Sequence, residues 1–129
     1  MSVKNLIDQI EKDGDYRVLQ KLDLSQTYND EDDSEKKVAI FLDTETTGTD
    51  VEKDQIIELG MVAFEYSPET GKIYKILGEL NQLEEPSVKI SEEAIKVHGI
   101  SYEMLKGQKI DDNKVKDFIC KAGVIIAHN

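Results

Sequence analysis

The segment VAIFLDTETTG, from Val38 to Gly48, constrains the fold more than any other stretch of the 129 residues. Five apolar residues run without interruption from Val38 to Leu42, the pattern of a short strand buried on both faces. Acids then stand at Asp43 and Glu45, with Thr44 between them. Strand side chains alternate, so positions i and i+2 project from one face, and the strand end carries two like charges side by side. Such a pair repels unless a cation or a shared proton intervenes. All-oxygen ligands suit Mg²⁺ or Mn²⁺, and paired ions of this kind clamp the attacking and leaving oxygens of phosphoryl transfer. A bare D-x-E also leaves open a structural or merely solvent-exposed pair.

The neighbouring pattern predicts an α/β fold, a mixed sheet with helices packed on it. QIIELGMVAFEY (Gln55–Tyr66) reads as a second strand apolar on both faces, SPETGK as a turn, and KIYKILGEL as a third strand closing a hairpin. Ser91 can cap a helix over SEEAIKVHG, and Ser101 another over SYEMLKG that Gly107 stops. Val115, Phe118 and Ile119 stand at i, i+3 and i+4 in a third helix, and VIIA is a fourth strand. Strands lead and helices follow before the last strand, which excludes an all-parallel arrangement. Residues 1–37 read as a separate appendage and 38–129 as the compact part. In the appendage, Leu6, Ile7 and Ile10 suggest one short helix, and Val18, Leu19 and Leu22 a second. Five acids within Asp30–Glu35 suggest a solvated linker.

Composition limits the function classes. No apolar run approaches the ~18 residues of a membrane-spanning helix, and the N-terminus lacks a signal-peptide core. Cys120 is the single cysteine, which excludes an internal disulfide and fits a reducing cytoplasm. The net charge of −11 opposes nucleic-acid binding, because phosphate contacts need Lys and Arg. Lys89, Lys96, Lys106 and Lys109 leave a local basic face open, beside ordinary surface charge.

Two alternatives, a phosphatase and a nucleotide-binding enzyme, fit the strand end less well. An aspartyl phosphatase, with Asp43 as nucleophile, would use D-x-D rather than D-x-E and open a parallel sheet, not a hairpin. A P-loop enzyme would need a Gly-rich lysine loop that does not precede Val38. FLDTETTG, DQIIELGMVAF, KVHGIS and GVIIAHN, in that order and spacing, resemble the first half of a DEDD-superfamily 3′→5′ exonuclease, in the proofreading branch typified by the epsilon subunit of DNA polymerase III. The resemblance runs from Val38 to Asn129 and implies a ribonuclease-H-like fold, incomplete at its C-terminus. It implies that Asp43 and Glu45 are the first two of four metal-binding acids for Mg²⁺ or Mn²⁺. Thr44 and Thr46 would hold the terminal nucleotide, partly through backbone groups, and Val97 and His98 would lie against its base or sugar. The third acid, a general-base histidine and the fourth acid would follow Asn129, so the chain is expected to be truncated and inactive alone. The implied activity is release of nucleoside monophosphates from single-stranded or frayed DNA or RNA 3′ ends, with a polymerase as a further partner. A non-catalytic ribonuclease-H-like module that binds a polymerase is the alternative.

Three smaller expectations complete the reading. Glu58 interrupts an apolar strand and is expected to make a structural hydrogen bond. Cys120, beside Phe118 and Ile119, is expected to be a buried thiol. His128 is expected to orient local backbone.

Overall fold

β1 (Lys37–Thr46) sits between two partners and organises the rest of the chain. In the computed structural model, which describes residues 1–19, 21 and 27–128, it pairs antiparallel with β2 (Ile56–Tyr66) and parallel with β4 (Val124–Ala127). β3 (Ile73–Leu83) pairs antiparallel with β2, giving the order β3-β2-β1-β4. The mixed α/β sheet therefore has the expected class. α1 (Val3–Lys12) precedes the sheet; α2 (Glu92–His98), α3 (Tyr102–Leu105) and α4 (Asp112–Ile119) fill the crossover from β3 to β4. No helix among the described residues is long and apolar enough to cross a membrane.

Alternation divides the sheet into two unlike faces. Ile40, Met61 and Ala63 form a buried cluster, and Val115, Phe118 and Ile119 of α4 pack against it. Further along, Ile57 joins Ile90, Ile100 and Leu105 in a second buried cluster beneath the α2–α3 region. The opposite face carries Phe41, stacked on Phe64 with ring centroids 4.6 Å apart. Phe41, Val124 and Ile126 are all exposed there. Full burial of β1 on both faces, expected from its apolar run, is thus not met: helices cover one face only. Phe41, Ile57 and Ile125 were expected to be bare; Phe41 and Ile125 are exposed, but Ile57 is fully buried because it belongs to the covered face, a correction to that expectation.

Local signals acted largely as read. Ser91 Oγ accepts the amide of Ala94 at 3.0 Å, and Gly99 ends α2 at φ 71°. Asp111 caps α4 by accepting from Asn113 and Lys114. Ser101 precedes α3 without a side-chain cap bond. Cys120 is exposed, a correction to its expected burial: α4 buries Phe118 and Ile119, and the next residue faces water. Residues 15–19 are not helical, so the second appendage helix does not form through Val18 and Leu19; Leu22 lies outside the described residues.

The acidic stretch also departs from a solvated linker. Tyr28 N donates to Tyr74 O at 2.8 Å and Asn29 Nδ2 to Ile73 O at 2.7 Å, along the outer edge of β3. The Tyr74 hydroxyl donates to Asp32 at 2.9 Å, while Lys72 and Lys75 approach Asp32 and Glu31 at 3.4 Å. Lysines of β3 and its preceding turn supply the countercharge that the sequence alone does not place. The result covers part of an edge strand, whose unpaired groups otherwise invite pairing with other chains.

This tether has a pH dependence. The Ser34 hydroxyl foremost, then the Tyr74 hydroxyl, hold the Asp32 carboxyl well below the usual carboxylate range. A depressed carboxylate stabilises the fold above its ordinary pKa, and that contribution fades as pH falls below about 3.9. Backbone NMR shifts of Tyr28 and Tyr74 should therefore move together on acidification through that range. Asp32→Asn should abolish the movement while leaving β1–β2 shifts in place.

Candidate active site

Register fixes what shares a face with the paired acids. Asp43 lies opposite Gly60 and Glu45 opposite Glu58, so all four positions face the side without helices. Phe41, two residues earlier, carries the aromatic stack toward Asp43. Gly60 in turn pairs with Asn81 of β3. With no side chain at Gly60, an open groove of about 1030 Å³ runs over Asp43 between Phe41, Val62, Asn81 and His128. His128 was expected only to orient backbone; it lines this groove with Asp43.

Asp43 is exposed and Glu45 half-buried, and among the described residues neither carboxylate has a hydrogen-bond or ion-pair partner. Their lone pairs are therefore available to a hard cation. Glu58 is engaged differently: Asn81 Nδ2 donates to it at 3.0 Å, the structural bond expected of it. Among the described residues no group of three or more His, Cys, Asp or Glu side chains is gathered to hold a metal ion. Asp43 and Glu45 fit a divalent cation in chemistry, as part of a donor set and not the whole of one.

None of the remaining expected residues, Thr44, Thr46, Val97 and His98, lines this groove. By alternation Thr44 points to the helix-covered face and offers the carboxylate face only its backbone. The register shifts between Glu45 and Thr46, an irregularity of the kind that re-aims strand ends. The Thr46 hydroxyl donates to Gly48 O at 2.5 Å and closes the turn. Val97 projects into solvent, 83% exposed, whereas His98 is half-buried. His98 Nδ1 accepts the Ile100 amide at 2.9 Å, so Nε2 carries the proton, buried and without a partner.

Beyond the strand, the sequence reading missed Thr47 and Asp54. Thr47 is completely buried and donates its hydroxyl to Asp54 Oδ1 at 2.7 Å. Asp54 Oδ2 accepts the Asp50 amide at 2.8 Å. The Thr47 hydroxyl foremost, then the Asp50 amide, depress the Asp54 pKa. A threonine directly after D-x-E-T was the available signal, but a hydroxyl's partner seven residues away is invisible in the sequence.

The sequence model of the family described as Exonuclease (RNase_T) matches residues 40–129. The chain belongs to this exonuclease family. Among curated proteins it is similar to the PolC-type DNA polymerase III of Thermotoga petrophila, 32% identical over 97 residues, covering 74% of this chain and 7% of that protein. The PolC-type enzyme of Thermotoga maritima is 34% identical over 92 residues, covering 70% of this chain and 6% of its own. The chain thus spans only 6–7% of the length of these relatives. Solved structures of similar fold include exonuclease I of Methylocaldum szegediense, at TM-score 0.55 and 18% identity over 72% of this chain and 20% of that one. E. coli exonuclease I in complex with an oligonucleotide matches at TM-score 0.55 and 16% identity, over 72% and 21%. These bear out the ribonuclease-H-like exonuclease fold expected from the four motifs.

The turn after β1 leaves no room for a side chain. A Cβ at Gly48 would lie 2.8 Å from Cγ and Oδ1 of Asp54, whose carboxylate cannot withdraw without releasing Thr47 and Asp50. Gly48→Ala should therefore destabilise the fold by about 1–3 kcal/mol, as overpacking does. Urea unfolding should show a lower midpoint with an unchanged slope.

Proposed function

We propose that this chain carries the first part of the active site of a metal-dependent 3′→5′ exonuclease that releases nucleoside monophosphates from DNA or RNA. The observation that carries the reading is the placement of Asp43 and Glu45 on one open face of an exonuclease-family sheet, unpartnered and beside a groove. The antiparallel β1–β2 pair argues against the aspartyl-phosphatase alternative, whose first strand opens a parallel sheet.

In this reading Asp43 and Glu45 hold Mg²⁺ or Mn²⁺, which would polarise the scissile phosphate and offset charge developing on its oxygens. Two carboxylates are few ligands for such ions. The third acid, the general-base histidine and the fourth acid accordingly belong to sequence outside these 129 residues, and the chain alone is inactive. Thr46 shapes the turn over the terminal nucleotide, Thr44 presents backbone groups, and Val97 and His98 flank the base or sugar. The exposed Val97 suits an apolar wedging contact, and the buried Nε2–H of His98 has a hydrogen bond still to give.

Nucleic-acid binding has to overcome the net negative charge, and the lysines are partitioned in a way that helps. Lys36, Lys37, Lys53, Lys72 and Lys75 are held in ion pairs. Among the described residues no ion pair engages any of the seven lysines from Lys89 to Lys121, the stretch that carries α2 to α4. Single-stranded or frayed 3′ ends are the proposed substrate and a DNA polymerase the proposed partner, supported by the similarity to PolC-type polymerases. A reducing cytoplasm, suggested by the single cysteine, is part of the same proposal.

In a protein that contains this segment and its downstream sequence, mononucleotide release should require Mg²⁺ or Mn²⁺. Asp43→Ala should lower turnover by at least ~100-fold, the scale on which metal sites respond to lost ligation. Metal-independent activity surviving in that variant would refute the site.

The nucleotide contacts make a separate prediction. Replacing Val97 and His98 together by alanine should raise KM for single-stranded 3′ ends by about tenfold, the scale of one lost hydrogen bond to the ligand. Circular dichroism should stay near wild type, since neither side chain belongs to the buried clusters, with only a modest fall in melting temperature from the lost hydrogen bond between the Ile100 amide and His98 Nδ1. Unchanged KM would remove both residues from the pocket.

A further inference from the structure

The walls of the proposed nucleotide pocket come from separate elements: the end of β1, and α2 some fifty residues later. A single buried residue joins them. Thr47 N donates to Gln55 O at 2.9 Å, Gln55 N donates back to the Thr47 hydroxyl at 3.0 Å, and that hydroxyl donates to Asp54 at 2.7 Å. Thr47 O, fixed by these bonds, accepts the amide of Ser91 at 2.8 Å. Ser91 is the N-cap of α2, and its own carbonyl and hydroxyl accept the amides of Ile95 and Ala94. A second tie runs alongside: Gln55 Nε2 donates to Ser87 Oγ at 2.7 Å, and Ser87 N donates to Gln55 Oε1 at 2.8 Å.

We propose that Thr47, locked by Asp54, is a positioning residue that holds α2 and its Val97–His98 end against the carboxylate strand, and so sets how tightly a 3′-terminal nucleotide is gripped. The grip rests on the exonuclease reading; the tether to α2 does not. Every polar atom of Thr47 is used within this node. The backbone of β1 leads straight from Glu45 into it, and the cap of α2 hangs from it. The side chain is completely buried, so it acts through α2 and not by touching the substrate. Gly48 keeps the Asp54 carboxylate seated, because any side chain there would displace it.

The test compares Thr47→Val, which keeps the shape and loses the hydroxyl, with Thr47→Ser, which restores it. In the 129-residue chain, amide hydrogen exchange is followed at Ala94, Ile95 and Gly99 of the α2 region, with Val115 and Cys120 at the ends of α4 as internal controls. Thr47→Val should speed exchange in α2 by about tenfold with α4 unchanged, and Thr47→Ser should remain near wild type. Equal acceleration in α2 and α4, or none in α2, would overturn the tether. In the second arm, fluorescence anisotropy with a 5′-labelled oligothymidylate in Mn²⁺ reads the grip, using the longer protein that contains this segment. Thr47→Val should weaken binding about fivefold and Thr47→Ser should recover it. Loosened α2 with unchanged affinity would overturn the role in grip. If the wild-type protein fails to bind the oligonucleotide, the nucleic-acid reading falls and the grip with it, while exchange still decides the tether.

Discussion

The period-two alternation of β1 is the constraint on which the structure depends. One set of its side chains, Val38, Ile40 and Leu42, goes beneath α4 and holds the sheet to its helical layer. The other set, Phe41, Asp43 and Glu45, has no helix to cover it and is free for chemistry. A slip of one residue would bury both acids under α4 and turn the apolar set outward, so register here is a condition for folding as well as for function. Pairing on both sides, with β2 and with β4, makes such a slip expensive: each flank would lose its own set of matched hydrogen bonds.

Much of this was legible in advance because it rests on local pattern. The four strands are marked by apolar runs, the hairpin by SPETGK, and the start of α2 by Ser91. The pairing of acids at i and i+2 required only that the run be a strand. What escaped was set by partners distant in sequence. The acidic stretch reads as solvated until Lys72, Lys75 and Tyr74 are placed beside it. Cys120 reads as buried until α4 is seen to present only one stripe to the sheet. Ile57 and Phe41 both sit in apolar runs, and only knowledge of which face the helices choose tells them apart.

The candidate site divides along the same line. Asp43 and Glu45 follow from spacing, and the roles of Val97 and His98 come through resemblance alone, since nothing in EEAIKVH announces a pocket. Thr47 and Asp54 were missed because their importance lies in mutual contact. A threonine in a loop is ordinary; one whose hydroxyl, amide and carbonyl are all committed is not.

The uneven pairing of lysines has an electrical consequence. With acids in excess along β1, β2 and the appendage, and seven lysines that no ion pair engages among the described residues gathered on the stretch bearing α2 to α4, charge is unevenly spread and the molecule has a dipole as well as a net negative charge. A polyanionic strand would repel it at long range yet exert a torque that turns the lysine-bearing helices inward as the two approach. Orientation would thus be selected before contact, within roughly the 8 Å screening distance of physiological salt. Moderate salt, by damping the repulsion that reaches furthest while sparing attraction at short range, would then quicken encounter, the reverse of what a basic nuclease would show.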